Sequence, residues 1–401
     1  MFIIVKMKIL IVTQYYYPER FSTTDIAESF VKLGHDVTVL TAKPNYGFDH
    51  IPSEYKKIKY EEINRVKVHR VNIHERGKNA ISLSLNYLSF HRNAKRYVKK
   101  LKEKFDVVLA VSLSPVISVS PALLYSKIHK VPCVLYCEDI WPESVVSAKA
   151  IKKNSIAYKI LYKWSKSIYQ RCDEIIISSP SFKDYFVKEL NVADKKFPIV
   201  YQPVLSSKGE EKPVEYNNKH NIVYAGNIGE VQNVDLLVKA MKFVKTSDVK
   251  LHLLGVGSNL EHIKKLIVND NLHNVVAYEG SYPIEKAESY FKNADALVVT
   301  LKDDGYVGKT IPNKAIQYLR YARPILGVLN GDGRDLLSEA KGSVFASQDP
   351  ESIAEAIDSL CKLSKANQSK MGENNLKFYK SKLESSKSIK ELLSLLEKVS
   401  K

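Results

Sequence analysis

The chain has 401 residues, 45% of them hydrophobic and 26% charged, with 16 glycines, 15 prolines and four cysteines. This length exceeds what one hydrophobic core usually organises, and the composition excludes disordered, collagen-like and disulfide-dense classes. The formal net charge of +17 is uneven: 33 basic side chains face 19 acidic ones up to residue 200, and 28 face 25 beyond it. A field of that sign attracts nucleic acid, anionic lipid headgroups or a phosphorylated substrate, and charge alone does not choose among them. Cys133, Cys137, Cys172 and Cys361 lack C-x-x-C spacing, which predicts reduced thiols and a cytoplasmic protein.

Residues 1–12 contain an apolar run too short and broken for a signal peptide, so export is not expected. β-rich runs at 8–13, 36–42, 66–71, 106–111, 132–137 and 174–178 alternate with segments of helical period, the pattern of a parallel sheet covered on both faces. The opening unit is a strand, a loop over 14–22, a helix with apolar Ile26, Ala27, Phe30, Val31 and Leu33, a stop at Gly34, and a second strand. Two basic helices follow. In one, Arg92, Arg96, Lys99 and Lys100 oppose Ala94, Tyr97, Val98 and Leu101; in the other, Lys159, Lys163 and Lys166 are edged by Tyr158, Tyr162 and Tyr169, with Ile160, Leu161, Trp164 and Ile168 predicted inside. Such helices suit an anionic membrane surface or a plainly solvated face. The most apolar stretch, 107–125, is broken by Pro115 and Pro121 and predicts a strand and a buried helix, not a membrane span.

Residues 201–221, with Pro203, Gly209 and Pro213, predict a linker. Strands are then expected at 221–225, 250–254, 275–278, 296–301 and 325–328, and a last amphipathic helix carries Ile389, Leu392, Leu393, Leu396 and Val399. The predicted fold is α/β: two Rossmann-like doubly wound domains, 1–203 and 204–380, facing each other across a cleft, with 381–401 packing back toward the first.

No G-x-G-x-x-G follows the first strand, which removes the main support for a dehydrogenase. The loop there, Gln14-Tyr-Tyr-Tyr-Pro-Glu-Arg-Phe-Ser-Thr-Thr24, offers aromatic and polar groups, Tyr16 and Glu19 among them, for sugar hydroxyls; the plain alternative is a βα turn with Ser22 or Thr23 as cap. Glu138-Asp139-Ile140-Trp141-Pro142-Glu143 follows a strand's carboxyl end, where doubly wound sheets place ligands, so Asp139 is a candidate to accept an acceptor hydroxyl's proton or hydrogen bond. Capping the next helix is its structural alternative. In the second half, Gly226-Asn227-Ile228-Gly229 and Gly255-Val256-Gly257 close strands and let a ligand approach the backbone. The loop 303–311, with Lys309 and Thr310, leads into a helix expected to hold Pro312 in its first turn and Asn313, Lys314 and Gln317 beyond it. That helix start, flanked by Lys309 and Lys314, would hold a diphosphate, with Gln317 reaching a ribose hydroxyl.

Together these segments resemble glycosyltransferase family 4, the retaining, metal-independent GT-B enzymes, and within it the capsule and O-antigen branch of fucosaminyltransferase-like proteins. The resemblance runs through residues 7–19, 33–41, Glu138 to Ser144, Gly226 to Gly229, Leu254 to Gly257 and Pro312 to Lys314, and Asp-x-Trp-Pro-Glu-Ser is its most specific element. It implies that the second domain binds a nucleotide sugar, expected to be UDP-linked, and that the first presents an acceptor. Gly226, Asn227 and Gly229 would then lie near the donor diphosphate, Gly255 and Gly257 near the nucleotide, and Pro312, Asn313 and Lys314 at the donor-binding helix. Two departures stand out. Lys309 and Gln317 occupy the positions of the family's paired glutamates, and Asn227 and Gln232 stand where many relatives carry Arg and Lys, so charge neutralisation is expected from Lys309 and Lys314.

Asp139 is the expected acceptor-side catalytic group and Lys314 the donor-side one, with Glu138, Asn45, Tyr46, Tyr16, Glu19 and Trp141 on the acceptor side; neither a metal nor a cofactor is expected. The expected activity is transfer of an N-acetylated amino sugar or deoxysugar to a polyprenyl-diphosphate-linked glycan at the cytoplasmic face of the membrane. A GT-B nucleotide-sugar 2-epimerase and a basic nucleic-acid-binding protein are the competing readings; the second lacks a recognisable motif.

Overall fold

The structure, a computed structural model, describes residues 6–19, 21–48, 50–77, 79–192, 195–204 and 212–401. The chain forms two units, Met1–Leu205 with Ser385–Lys401, and Ser206–Glu384. In the first, a seven-stranded sheet contains β1 (Lys8–Val12), β2 (Asp36–Ala42), β3 (Tyr60–Ile63), β4 (Val66–Val71), β5 (Val107–Ser112), β6 (Cys133–Cys137) and β7 (Glu174–Ile177). Its order is β3-β4-β2-β1-β5-β6-β7, parallel throughout except for the β3–β4 pair. The helices are α1 (Ser22–Lys32), α2 (Ala80–Val98), α3 (Ser120–His129), α4 (Glu143–Ser147), α5 (Ile156–Arg171) and α6 (Ser181–Asp184).

The second unit has six parallel strands, β8 (His220–Ala225), β9 (Val249–Leu254), β10 (Val276–Gly280), β11 (Ala296–Thr300), β12 (Ile325–Val328) and β13 (Ser343–Phe345), in the order β10-β9-β8-β11-β12-β13. Helices α7 (Val234–Ala240), α8 (Leu260–Asn269), α9 (Ile284–Asn293), α10 (Asn313–Leu319), α11 (Gly331–Ala340), α12 (Pro350–Lys362) and α13 (Lys365–Phe378) accompany it. A final helix, α14 (Ser385–Val399), belongs to the first unit.

Central strands are buried along nearly their whole length, as in β5 and β6, because helices cover both faces of each sheet. Two strands escaped the sequence pattern. Edge strand β3, Tyr-Glu-Glu-Ile, is charged and only partly buried, and β13 is three residues long; edges of this kind carry little hydrophobic signal. α14 buries Ile389, Leu392, Leu393 and Leu396 with Ile9, Ile11, Phe30 and Val107, which supplies the apolar surface its amphipathic pattern requires.

The expected linker is structured at its far end: the Val214 amide donates to the Ser289 carbonyl and the Tyr216 hydroxyl to the Tyr290 carbonyl, so these residues dock on α9 before β8 begins; 205–211 lie outside the described residues. The buried stripe of α5 is also rotated from expectation. Tyr158, Ile168 and Tyr169 are inside, while Ile160 is 60% exposed. The four cysteines are buried and unpaired. Among the described residues no helix is long and apolar enough to cross a membrane.

Each sheet reverses direction once, between β1 and β5 and between β8 and β11. The carboxyl ends at such switch points are where open α/β sheets bind ligands.

Candidate active site

At the second unit's switch point β8 ends in Ala225 and turns sharply at Gly226, whose φ of +140° suits glycine. The Tyr318 hydroxyl, on α10, accepts from the Ala225 amide and donates to the Ala225 carbonyl, fixing the strand end. One turn earlier on α10, Lys314 folds under the glycine turn. A Cβ at Gly226 would stand 2.9 Å from the Lys314 Nζ, and that Nζ lies 3.8 Å from the centre of the Tyr224 ring. Lys314 as a residue is part-exposed, but its ammonium nitrogen has no accessible surface and no hydrogen-bond partner. Burial pulls its pKa down to about 7. The Tyr224 ring face stabilises the charge, and the Tyr224 hydroxyl donates to the Asn227 carbonyl. A buried ammonium with no acceptor beneath a glycine turn has the chemistry to receive an anion.

The neighbouring glycines meet a packing requirement as well. A Cβ on Gly255 would fall 1.9 Å from the Gly226 carbonyl oxygen, and one on Gly257 2.3 Å from that of Ile228. Two strand-end loops press against each other there, which itself requires glycine. A Cβ at Gly229 would meet Asn227 and Gln232, whose side chains bond at 3.0 Å.

The structure revises several other donor-side positions. Pro312 lies at the N-cap with ψ 136°, not inside the first turn, and α10 has only seven residues, so the aligned-dipole contribution expected there is small. Lys309 is exposed, its ammonium 5.8 Å from the Tyr306 ring centre, in contrast to the buried ammonium of Lys314. The Thr310 hydroxyl donates to the Val307 carbonyl and Asn313 is exposed. Gln317 is part-exposed and lies against the Tyr321 hydroxyl, which donates to Glu288 on α9.

In the first unit Asp139 and Glu138 leave the end of β6. Burial raises both carboxyls to about 7, opposed at Asp139 by the Ser144 hydroxyl, the Ile140 amide and the Ser114 hydroxyl, and at Glu138 by the Ser22 hydroxyl 2.8 Å away. A carboxyl poised near neutrality can accept a hydroxyl's hydrogen bond or its proton. Trp141 is nearly buried, with its indole donating to Ser114 at 2.7 Å; the Trp141–Pro142 bond is cis. Asp139 does not cap α4, whose N-cap is Pro142 without a side-chain bond.

Three acceptor-side expectations are corrected. Tyr16 is fully buried in the hydrophobic core because its position in the turn points inward. Glu19 is 4% exposed and its carboxylate receives the amides of Asn45, Tyr46 and Tyr16, so it staples two loops together. Burial raises it to about 7 against those three donors. Asn45 is 1% exposed and joins a buried amide ladder in which Gln14 donates to Asn86 and Asn86 to Asn45. Tyr46 alone of this group is open, 46% exposed, beside Tyr15 and Phe21.

Two groups the sequence did not single out stand at these sites. Tyr224 looks like any strand aromatic until Lys314 is placed against it. Arg76, in the loop after β4, donates to the Tyr15 and Tyr87 hydroxyls and lies over the Tyr46 ring; a lone loop arginine carries no sequence signal. Among the described residues no cluster of three or more His, Cys, Asp or Glu is placed to hold a metal.

Residues 21–205 match the family model for Glycosyltransferase Family 4, and residues 219–362 that for Glycosyl transferases group 1. A probable glycosyltransferase of Pseudomonas aeruginosa, WbjE, is 25% identical over 244 residues, which cover 57% of this chain and 60% of that protein. Among solved structures, sucrose-phosphate synthase from Thermosynechococcus elongatus superposes with a TM-score of 0.78 at 14% identity, covering 98% of this chain and 99% of that one. HepE from Anabaena in complex with UDP gives 0.71 at 13%, covering 98% and 100%, and WaaG, a glycosyltransferase involved in lipopolysaccharide biosynthesis, 0.69 at 11%, covering 97% and 99%.

Two doubly wound units with their strand-end loops at switch points, matched along nearly their full length by these structures, define a GT-B fold. The chain belongs to the glycosyltransferases, matching Family 4 over 21–205 and group 1 over 219–362.

Proposed function

We propose that this protein transfers a sugar, with retention and without a metal, from a nucleotide diphosphate donor to a lipid-linked glycan in capsule, O-antigen or exopolysaccharide synthesis, at the cytoplasmic face of the membrane. The observation that carries the reading is the unpartnered Lys314 ammonium under Gly226. A donor diphosphate is the anion such a receptor fits, and the UDP bound by HepE favours a UDP sugar, an N-acetylated amino sugar or deoxysugar by the branch this chain resembles. WaaG's role in lipopolysaccharide synthesis supports a cell-envelope glycan as product.

In this mechanism the C1–oxygen bond to the diphosphate breaks as the acceptor oxygen bonds to C1 on the same face. The acceptor's proton passes to the departing phosphate oxygen, so no enzyme nucleophile is needed. Lys314, re-protonated by the anion's field, stabilises charge developing on the leaving group. Asp139 orients the acceptor hydroxyl. The test is sugar transfer from a panel of UDP and GDP sugars to a lipid-linked acceptor extract in EDTA. Transfer in EDTA that is lost in Lys314→Ala supports the proposal. Acceptor-independent epimer formation, or activity only with added metal, contradicts it.

A further inference from the structure

The first unit holds a second feature outside the donor chemistry, an apolar cavity of about 490 Å³ bounded by the amino-terminal half of α2, the loop after β5, the segment around α4, and α5. Leu83, Val145, Ile151, Leu161 and the two indoles of Trp141 and Trp164 furnish its walls. His91 of α2 meets Trp164 of α5 edge to ring at 6.0 Å and ties the two helices together. Besides Ser84, Tyr87 and Ser165, its polar lining falls in two places. One is Arg76, half-buried, with hydroxyl and ring partners but no carboxylate within ion-pair distance among the described residues. The other is the Ser114 and Ser144 pair beside Asp139: Ser114 accepts from the Trp141 indole at 2.7 Å, and the buried Ser144 hydroxyl has no hydrogen-bond partner. The cavity therefore abuts the candidate acceptor-side carboxyl.

Its surroundings are equally one-sided. On α2, Ile81, Leu85 and Leu88 are 75%, 45% and 47% exposed, and the same face continues into exposed Arg92, Arg96 and Lys99. On α5, Ile156 and Ile160 are 79% and 60% exposed, with Lys152, Lys153, Lys159 and Lys163 exposed around them. Leu88 belongs both to the exposed row and to the cavity wall. Exposed aliphatics at the helix starts with cations behind them match the depth order of acyl chains and headgroups.

We infer that this cavity binds the hydrocarbon chain of the acceptor's own lipid phosphate, with Arg76 as counter-charge to the phosphate, so that the head of the lipid is delivered beside Asp139. The apolar walls fit a chain, a guanidinium with no carboxylate partner among the described residues fits its anionic end, and a wall formed by Ser114 and Trp141 next to Asp139 is why the occupant is the acceptor rather than a bulk bilayer lipid. The inference rests on the lipid-linked acceptor proposed above.

The chain's only two tryptophans both line this cavity, so its intrinsic indole fluorescence reports on the site. The full chain is titrated with farnesyl monophosphate, farnesol, inorganic phosphate and phosphatidylglycerol vesicles. Farnesyl monophosphate is expected to give a saturable change, farnesol to bind at least about ten-fold more weakly, and inorganic phosphate to give none. Leu88→Glu, at an exposed position, should abolish the response, and Ala148→Phe, entering from the other wall, should do the same; Arg76→Gln should reduce farnesyl phosphate to the affinity of farnesol. The inference is overturned by no response to farnesyl phosphate, by a response both wall variants leave intact, by equal binding of farnesol, or by an equal saturable response to the vesicles. UDP binding measured on the same samples separates the two readings. UDP binding without a farnesyl phosphate response sinks the cavity assignment alone, and the reverse sinks the donor half of the proposed function alone.

Discussion

Replacing Lys314 by methionine removes the charge while keeping an unbranched chain against Tyr224. The pKa fall from 10.5 to about 7 corresponds to ~5 kcal/mol against the charged form. Because the residue remains part-exposed, screening leaves about 3 kcal/mol as the usable figure. The unfolded chain keeps this proton until pH approaches 10.5, whereas the folded one releases it near 7, so between those values the unfolded state binds more protons and stability rises with pH. Below pH 7 the cost of the buried charge is fully present. In the absence of nucleotide, Lys314→Met should therefore raise the second unit's unfolding midpoint at pH 6.5 by roughly 6–12 °C, with the advantage shrinking toward pH 10. The same variant should lose the stabilisation that UDP confers on the wild type, since that follows from binding the native state. Calorimetric melting from pH 6 to 10, with and without UDP, measures both. A variant that melts at or below the wild type at pH 6.5, with an unchanged pH slope, refutes the reasoning.

Asp139→Asn should lower turnover on the lipid-linked acceptor by about 10² or more with little change in donor KM, and the wild-type kcat/KM profile should show a limb near pH 7; steady-state kinetics from pH 5.5 to 9 checks this. Glu19, Glu138 and Asp139 all have folded pKa values raised to about 7, so the stability they contribute is present below their unfolded values and lost as pH rises through 7. The first unit should melt higher at pH 5 than at pH 8, the opposite trend to the second, and calorimetry resolving the two transitions reads it. Gly255→Ala puts a Cβ 1.9 Å from the Gly226 carbonyl at a φ of +130° and should cost about 3 kcal/mol or more, whereas Gly305→Ala, with φ +55° and open space, should cost about 1; urea titrations distinguish them. Leu392→Ala and Leu396→Ala, at fully buried positions of α14, should each destabilise the first unit by about 2–5 kcal/mol, measured the same way.

Most of the fold was legible because parallel strands buried on both faces are continuous apolar runs, and because helix periods and glycine stops separate them. β3 and β13 were not, since a charged edge strand and a three-residue strand lack that signal. At the site, the placement of Asp139 just after a strand and of Lys314 in the first turn of a helix was legible. Chain position could not say which way neighbouring side chains turn. Tyr16 and Asn45 lie in the right loops but point into core and amide ladder, and Glu19 holds those loops together from within. The loop packing at Gly255 and Gly257 was not legible, because loop against loop and ligand against loop require the same residue. Arg76 and the cavity beside it come from four separate segments that only the folded sheet assembles.

The most direct test is isothermal calorimetry of UDP with the full chain in EDTA at pH 7.5, in buffers of differing ionisation enthalpy, for the wild type and Lys314→Met. We expect the wild type to bind UDP with net proton uptake, and the variant to bind about 10²-fold more weakly without it. Equal affinity in the two proteins, or no UDP binding by the wild type, would contradict a diphosphate site built on Lys314.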